Sequence, residues 1–168
     1  IASGCTTPVR YDVIIRNGTI VDGTGDKSYR ADLGINADTI TFIGDLKKEK
    51  GSTEVDATGL AVAPGFINML SWANESLIED GRSQGDIRQG VTLEVLGEGD
   101  SMGPLNEQMK EDLKNSQSDI KYEIGWTSLG EYLDFIVEEG VSTNVASFCH
   151  TTTYSNFTHT RCDHFRPG

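Results

Sequence analysis

The pattern of apolar residues changes near residue 63, and this change constrains the fold more than any other feature of the chain. Between residues 11 and 62, apolar and polar residues alternate in short stretches separated by turn residues, as in β-strands with one buried face. Beyond residue 63, apolar strand-like runs alternate with amphipathic helical stretches, which is typical of parallel βα units. The sequence therefore predicts a β region at residues 11–62 and an α/β region at residues 63–148.

The β region consists of short predicted strands. Residues 11–16 and 19–21 flank Asn17-Gly18, a pair that favours a two-residue type I′ turn, so we expect a hairpin here. Short strands joined by tight turns indicate a sandwich or a small barrel. The remaining strands are predicted at residues 30–35, 39–43, 53–56 and 60–63.

The α/β region begins with residues 65–70, a near-continuous apolar run that predicts a strand buried on both faces. Asn74 is a good N-cap for a helix that extends to about residue 89. The elements predicted after it are a buried strand at residues 91–96, a polar helix at 106–115, a helix that starts with a capping box at Ser128 and Glu131 and ends at Gly140, and a strand at 141–148.

The first ten residues predict a lipid anchor. Small residues precede Cys5 in the order Ile-Ala-Ser-Gly-Cys, which resembles a bacterial lipobox. On this interpretation residues 1–10 are a signal remnant and tether, and Cys5 is the acylated first residue of a mature lipoprotein. The protein is then exported and anchored at the periplasmic membrane or cell envelope. The alternative is an incidental cysteine in a flexible terminus.

Residues 149–168 differ in composition from the rest of the chain. They hold all three His and two of the three Cys, Cys149 and Cys162. Three interpretations are open: a zinc site, a Cys149–Cys162 disulfide in an exported protein, and an aberrant tail produced by a reading-frame shift. The spacing lacks the paired Cys-x-x-Cys of zinc sites and the segment lacks periodic apolar residues, so the third is favoured.

Charge and hydropathy exclude two classes of function. Fourteen Lys and Arg against 26 Asp and Glu give a net charge of −12, and no basic stripe exists to bind a phosphate backbone, so nucleic acid is not expected as a partner. No apolar run approaches the roughly 18 residues that span a bilayer. The only membrane contact that we expect is therefore the lipid at Cys5.

Four segments carry recognisable motifs: residues 11–25, 31–35, 55–59 and 63–68. Together they resemble the amidohydrolase superfamily, and its N-acyl-D-amino-acid deacylases in particular, over about residues 11–148. The resemblance implies part of a β-sandwich followed by the first two to three βα units of an incomplete TIM-type (β/α)₈ barrel. It also implies zinc or another divalent metal at the strand ends, and hydrolysis of the C–N bond in a small N-acyl or amide substrate by a metal-activated water.

The metal-ligand positions of that family are altered in this chain. The two His positions after the first barrel strand hold Leu70 and Trp72, and Gly99 takes the position of a Cys after the second. Glu98 is the candidate substitute ligand, with a solvated loop carboxylate as the alternative. Ser71 and Trp72 are expected to line the pocket, although Ser71 is equally explained as a polar strand-end residue.

The length of the chain limits what it does alone. A (β/α)₈ barrel takes about 250 residues, more than the 168 present, so we expect a truncated amidohydrolase. Three functions remain open: an amidohydrolase with a remodelled metal site, a catalytically inactive barrel that binds a ligand, and a fragment without function.

Overall fold

The computed structural model describes residues 10–150 together with residues 153, 155 and 157. Two compact units divide the chain, Ile1–Pro64 and Gly65–Gly168. Cys5 and Cys162 lie outside the described residues. No helix within the described part is long and apolar enough to cross a membrane.

The first unit is a mixed five-stranded sheet built around its first strand. β1 pairs with β2 in antiparallel and with β4 and β5 in parallel orientation, and β3 pairs with β2 in antiparallel orientation, giving the order β3-β2-β1-β4. The predicted strands beyond residue 30 are confirmed within a few residues at each end. The five strands are β1 (Arg10–Ile20), β2 (Tyr29–Asn36), β3 (Thr39–Gly44), β4 (Lys50–Asp56) and β5 (Ala61–Val62).

The predicted hairpin at Asn17-Gly18 is wrong, because β1 runs through this pair without turning. Asn17 has φ of 59° and forms a bulge between Ile15 and Gly18 in the pairing with β2. Its backbone N–H donates to Asp32 Oδ1 at 2.8 Å, so this donor of the bulge is paired although it has no partner on the β2 backbone. Gly18 packs closely against Val62, since a Cβ there would lie 2.6 Å from Val62 Cγ2 and would force one of the two to shift.

Arg16 joins three parts of the first unit. Its Nε and Nη2 donate to the Glu54 carboxylate on β4 at 2.7 and 2.9 Å, a bidentate pairing that suits the planar guanidinium. Nη1 and Nη2 also donate to the carbonyls of Leu46 and Glu49 at 3.0 and 2.9 Å. The hydrogen bonds that Glu54 accepts from Arg16 and, to a smaller extent, from Gly51 N–H hold the pKa of its carboxyl at about 2.

The second unit contains a three-stranded parallel sheet in the order β6-β7-β8. Helices lie between consecutive strands in the sequence, so the predicted βα pattern is confirmed. Its elements are β6 (Phe66–Asn68), α1 (Ser76–Glu79), α2 (Gln84–Ile87), β7 (Val91–Leu96), α3 (Glu107–Ser116), α4 (Leu129–Glu139) and β8 (Asn144–Ser147).

The strand expected at residues 65–70 is shorter than predicted and is not buried. Only Phe66–Asn68 are in β6, and the side chains of Phe66 and Ile67 are 61% and 55% exposed. Among the described residues, β6 pairs with β7 alone, so one of its edges and much of its apolar surface have no covering element. The apolar run identified a strand correctly, but its burial was predicted wrongly.

The single helix expected from Asn74 to about residue 89 is two short helices, α1 and α2. Asn74 is not the N-cap, because its side chain donates instead to the carbonyl of Asp100. The break falls at Gly81, where a Cβ would lie 2.0 Å from the carbonyl oxygen of Gly140. The carbonyl of Gly81 accepts a hydrogen bond from Ser142 N–H at 2.9 Å. The backbone at Gly81 therefore pairs with the segment before β8 and does not continue the helix.

An aromatic cluster forms the centre of the second unit. Trp126 and Tyr132 are almost completely buried, with ring centroids 5.2 Å apart, and the Trp126 indole N–H donates to Met102 O at 2.7 Å. The predicted capping box of α4 is confirmed, since Ser128 Oγ accepts from Glu131 N–H and the Glu131 carboxylate accepts from Ser128 N–H.

The described residues beyond 148 contact the loop after β7. His150 N–H donates to Ser101 Oγ at 3.0 Å, and Ser101 N–H donates to Thr153 Oγ1 at 3.4 Å. Thr153 is buried. The zinc, disulfide and aberrant-tail interpretations depend on Cys162 and its neighbours, which lie outside the described residues, so they stay predictions.

Candidate functional site

The carboxyl ends of the three parallel strands lie side by side. Ser71 N–H donates to Val95 O at 3.0 Å and Phe148 N–H donates to Leu96 O at 2.9 Å, which extends the pairing of β6 and β8 with β7 beyond the strands themselves. The residues that follow β6, β7 and β8 therefore share one edge, here called the strand-end edge. In parallel βα folds this is the edge where substrates and metals bind.

Trp72 and Gly99 meet at the strand-end edge. A Cβ built on Gly99 would lie 2.4 Å from Trp72 Cη2 and 2.6 Å from Cζ3, so the indole lies directly against the backbone of Gly99. The Trp72 side chain is nonetheless 68% exposed. The structure thus brings together two of the positions at which the resemblance led us to expect metal ligands.

The side chains at this edge do not fit a metal centre. Leu70, Trp72 and Gly99 offer no ligating atom, and the indole fills the space that a side chain at position 99 would take. Glu98 is exposed and is one carboxylate only. Among the described residues, no group of three or more His, Cys, Asp or Glu is placed to hold a metal ion. A ligand role for Glu98 remains a prediction.

Ser71 is buried and directed at a carboxylate that the sequence analysis did not identify. Its Oγ donates to Glu94 Oε2 at 2.6 Å, while Ser83 Oγ and Thr143 Oγ1 donate to Glu94 Oε1 at 2.5 and 3.0 Å. Glu94 is fully buried on β7, and no salt bridge between described residues includes it. A charged residue inside the apolar run 91–96 was the available signal, because a buried charge requires partners.

The hydrogen bonds that Glu94 accepts hold three segments of the second unit together, and one of these segments reaches the strand-end edge. Ser71 follows β6, Ser83 precedes α2, and Thr143 precedes β8, so one carboxylate ties together three segments that are distant in sequence. Since Ser71 is adjacent to Trp72, the same hydrogen bonds hold the backbone that carries the indole. The pocket-lining role expected for Ser71 and Trp72 stays a prediction.

Known proteins resemble the chain over most of its length. A D-aminoacylase of Alcaligenes xylosoxydans xylosoxydans is 34% identical over 140 residues, which cover 81% of this chain and 28% of that enzyme. An N-acyl-D-aspartate deacylase from the same organism is 34% identical over 100 residues, or 59% of this chain and 20% of the relative. No protein-family model matches the chain.

Solved structures of D-aminoacylases and related deacylases also match the chain over most of its length. A D-aminoacylase crystal structure matches with a TM-score of 0.69 at 28% identity, covering 85% of this chain and 30% of that one. The N-acyl-D-glutamate deacylase of Bordetella bronchiseptica, solved with zinc and a phosphonate that mimics the tetrahedral intermediate, matches with a TM-score of 0.69 at 26% identity. This match covers 86% of this chain and 30% of the deacylase chain.

Fold and sequence together relate the chain to enzymes of the amidohydrolase family. Within that family its homologues are the D-aminoacylases and N-acyl-D-amino-acid deacylases, so the resemblance noted in the sequence is confirmed. The chain spans less than a third of the length of these relatives. One D-aminoacylase has a binuclear metal centre, whereas the described residues here contain no such cluster.

Proposed function

We propose that this chain forms the β-sandwich portion and the first two to three βα units of the (β/α)₈ barrel in a longer amidohydrolase. That protein hydrolyses the C–N bond of a small N-acyl or amide substrate, in the manner of a D-aminoacylase. The observation that carries the proposal is the match to D-aminoacylase, at a TM-score of 0.69 over 85% of the chain.

The exposed surface of β6 supports a continuation of the sheet. Phe66 and Ile67 on β6, with Met69 and Leu70 just after it, are each more than half exposed. In a closed barrel every strand has a neighbour on both sides and its two faces are covered. Further strands from outside this chain would cover these four apolar side chains and remove the open edge, which is an aggregation hazard when exposed.

The metal expected for the family is proposed to rely on residues outside this chain. Zinc or another divalent ion in the longer protein finds no ligand in Leu70, Trp72 or Gly99. Glu98, which lies next to Gly99 in the turn after β7, is the proposed substitute ligand. The alternative function is a catalytically inactive barrel that binds a ligand. The exposed indole of Trp72, at a position where relatives are expected to hold a metal ligand, is the observation that favours it.

Release of free amine tests the hydrolase proposal. Hydrolysis adds water across the amide C–N bond, so each turnover yields one carboxylic acid and one amine. The full-length protein, purified with zinc, is expected to release primary amine from N-acyl-D-amino acids and not from the matched L-isomers, and the 168-residue chain alone is expected to be inactive. Absence of amine from N-acyl amino acids and simple acyclic amides alike would contradict the hydrolase proposal.

We further propose export as a lipoprotein anchored through Cys5, on the basis of the small residues that precede it. Mass spectrometry of the membrane fraction is expected to find a diacylglyceryl group on Cys5. The variant Cys5→Ser is expected to leave the membrane fraction. An unmodified Cys5 thiol in the exported protein would refute the anchor.

A further inference from the structure

The absence of a side chain at position 99 is accounted for by the contact with Trp72 and not by the backbone conformation of Gly99. The nearby Gly97 has φ of 82°, and a Cβ there would lie 2.3 Å from Phe148 O, so the backbone itself requires glycine. Gly99 does not adopt this left-handed conformation, and the three atoms nearest to its hypothetical Cβ all belong to the Trp72 indole. The Trp72 indole, and not the backbone conformation, is therefore what a side chain at position 99 would meet.

With the indole in its observed position, no side chain fits at position 99. Carbon atoms pack best at about 3.5–4.0 Å, while two indole carbons lie 2.4 and 2.6 Å from the position of a Cβ on Gly99. A cysteine, which the resemblance leads us to expect at this position, and even an alanine would have to displace the ring. Trp at 72 and a side chain at 99 are thus mutually exclusive in the observed arrangement.

We propose that Trp72 and Gly99 form a matched pair, in which the indole occupies the side-chain space of position 99 and replaces two metal-ligand positions by a single aromatic contact. Two of the three departures from the expected ligand set, at positions 72 and 99, are then one structural change and not two independent losses. This inference rests on the proposed amidohydrolase function for the meaning of the two positions, while the contact itself rests on the geometry.

The geometry also explains how the indole is held in place. Ser71 N–H continues the β6–β7 pairing, and Ser71 Oγ is fixed by the fully buried Glu94. The backbone at the root of Trp72 is therefore anchored by both a main-chain and a side-chain hydrogen bond. The ring remains 68% exposed, so its accessibility to a quencher reports on whether it rests against Gly99.

Acrylamide quenching of Trp72 fluorescence tests the pair in the full-length protein. The signal of Trp72 is the difference between each protein and the same protein carrying Trp72→Phe, which removes the contribution of every other tryptophan. In Gly99→Ala the added methyl displaces the ring, and the quenching constant of Trp72 is expected to rise. The control Gly125→Ala places a methyl where no atom lies within 4 Å and is expected to leave quenching unchanged. A Gly99→Ala protein with wild-type quenching would overturn the proposal.

A second variant covers the case in which Gly99→Ala fails to fold. The double variant Trp72→Ala/Gly99→Ala has lost the ring that the methyl strikes, so it is expected to fold and to tolerate the alanine. Failure of the double variant while Trp72→Ala alone folds would also overturn the proposal, since the glycine would then be required for a reason other than Trp72.

Zinc retention provides an independent readout. Wild-type protein and the variant Trp72→Ala are incubated with zinc alone, desalted and analysed for metal. Equal zinc content is expected, because neither residue 72 nor residue 99 contributes a ligand. Zinc that is retained by wild type and lost in Trp72→Ala would overturn the proposal. Failure of amine release would instead count against the proposed hydrolysis and would leave the quenching result standing.

Discussion

The two units of the chain surround a charged side chain with different partners. In the first unit, the side chain of Arg16 is 21% exposed, and its guanidinium faces the Glu54 carboxylate and two backbone carbonyls. In the second unit, the carboxylate of Glu94 is fully buried and accepts hydrogen bonds from three neutral hydroxyl groups. The first charge has an opposite charge beside it, and the second has none among the described residues.

This difference gives the two groups different roles. The Arg16–Glu54 pair joins parts of a sheet, whereas the Glu94 network holds residues next to the candidate site. A paired charge near the surface contributes modestly to stability, whereas a buried carboxylate without a counter-ion must regain its lost hydration from its donors. Such an arrangement holds only while all the donors are in position. Glu94 supports the strand-end edge that carries Trp72, so the costly charge lies beneath the candidate site and the balanced one lies in the β-sheet unit.

The largest expected effect comes from Glu94→Ala. Removing the carboxylate leaves the hydroxyls of Ser71, Ser83 and Thr143 without their acceptor inside the protein, and we expect the free energy of unfolding of the second unit to fall by about 3 kcal/mol. Urea unfolding monitored by the buried Trp126 measures this loss. Glu94→Gln keeps one acceptor oxygen and is expected to lose less. A Glu94→Ala protein more stable than wild type would show that desolvation of the charge outweighs its hydrogen bonds.

Arg16→Met is expected to have a smaller effect, confined to the first unit. The variant loses the hydrogen bonds to Glu54, Leu46 and Glu49, and we expect a loss of about 1–2 kcal/mol. Hydrogen exchange of the amides in β1 and β4 measures it. Arg82→Met is the matched control, because Arg82 makes a similar bidentate pair with Asp80 at the surface. This variant is expected to have little effect on the hydrogen exchange of the amides next to that pair. Equal effects of the two variants would remove the distinction between the Arg16–Glu54 pair and a surface pair.

Ser128→Ala tests local stability in the second unit. Loss of the N-cap leaves Glu131 N–H without its side-chain acceptor, and we expect about 1 kcal/mol lower stability. Thermal unfolding measures the change, with Ser142→Ala at an exposed position as the control. An equal shift in both variants would show that the capping box adds nothing.

Acid is expected to weaken the first unit through Glu54. Its pKa is about 2 in the folded protein, below the ordinary value of 4.5, chiefly because Arg16 donates to the carboxylate. A lowered folded pKa means that this contribution to stability is complete above 4.5 and is lost as pH falls through about 2. Glu54→Gln is expected to flatten this part of the profile, and a thermal-unfolding series against pH measures it. An unchanged profile in Glu54→Gln would assign the acid sensitivity to other groups.

Local signals in the sequence were sufficient for elements whose stabilising contacts are also local. The two residues of the capping box, Ser128 and Glu131, lie three positions apart, and the predicted box is confirmed. Asn17-Gly18 has the composition of a turn, but it forms a bulge because Asp32 binds the Asn17 N–H and Val62 packs over Gly18. Those partners are distant in sequence, and the dipeptide alone contains no information about them.

The candidate site was predictable only in part for the same reason. The resemblance identified positions 72 and 99, and the structure brings them into contact. The network beneath them joins Glu94 to residues between 11 and 49 positions away, and no motif spacing encodes it. A glutamate within an apolar strand was a detectable warning, while the identity of its three donors required the fold.

The most direct test of this account is a crystal structure of the full-length protein grown with zinc, with anomalous data to locate the metal. We expect further parallel strands to cover β6, the Trp72 indole to lie against Gly99, and no zinc to replace it between positions 72 and 99. A sheet that ends at an open β6, or a zinc ion in the place of the indole, would contradict the account.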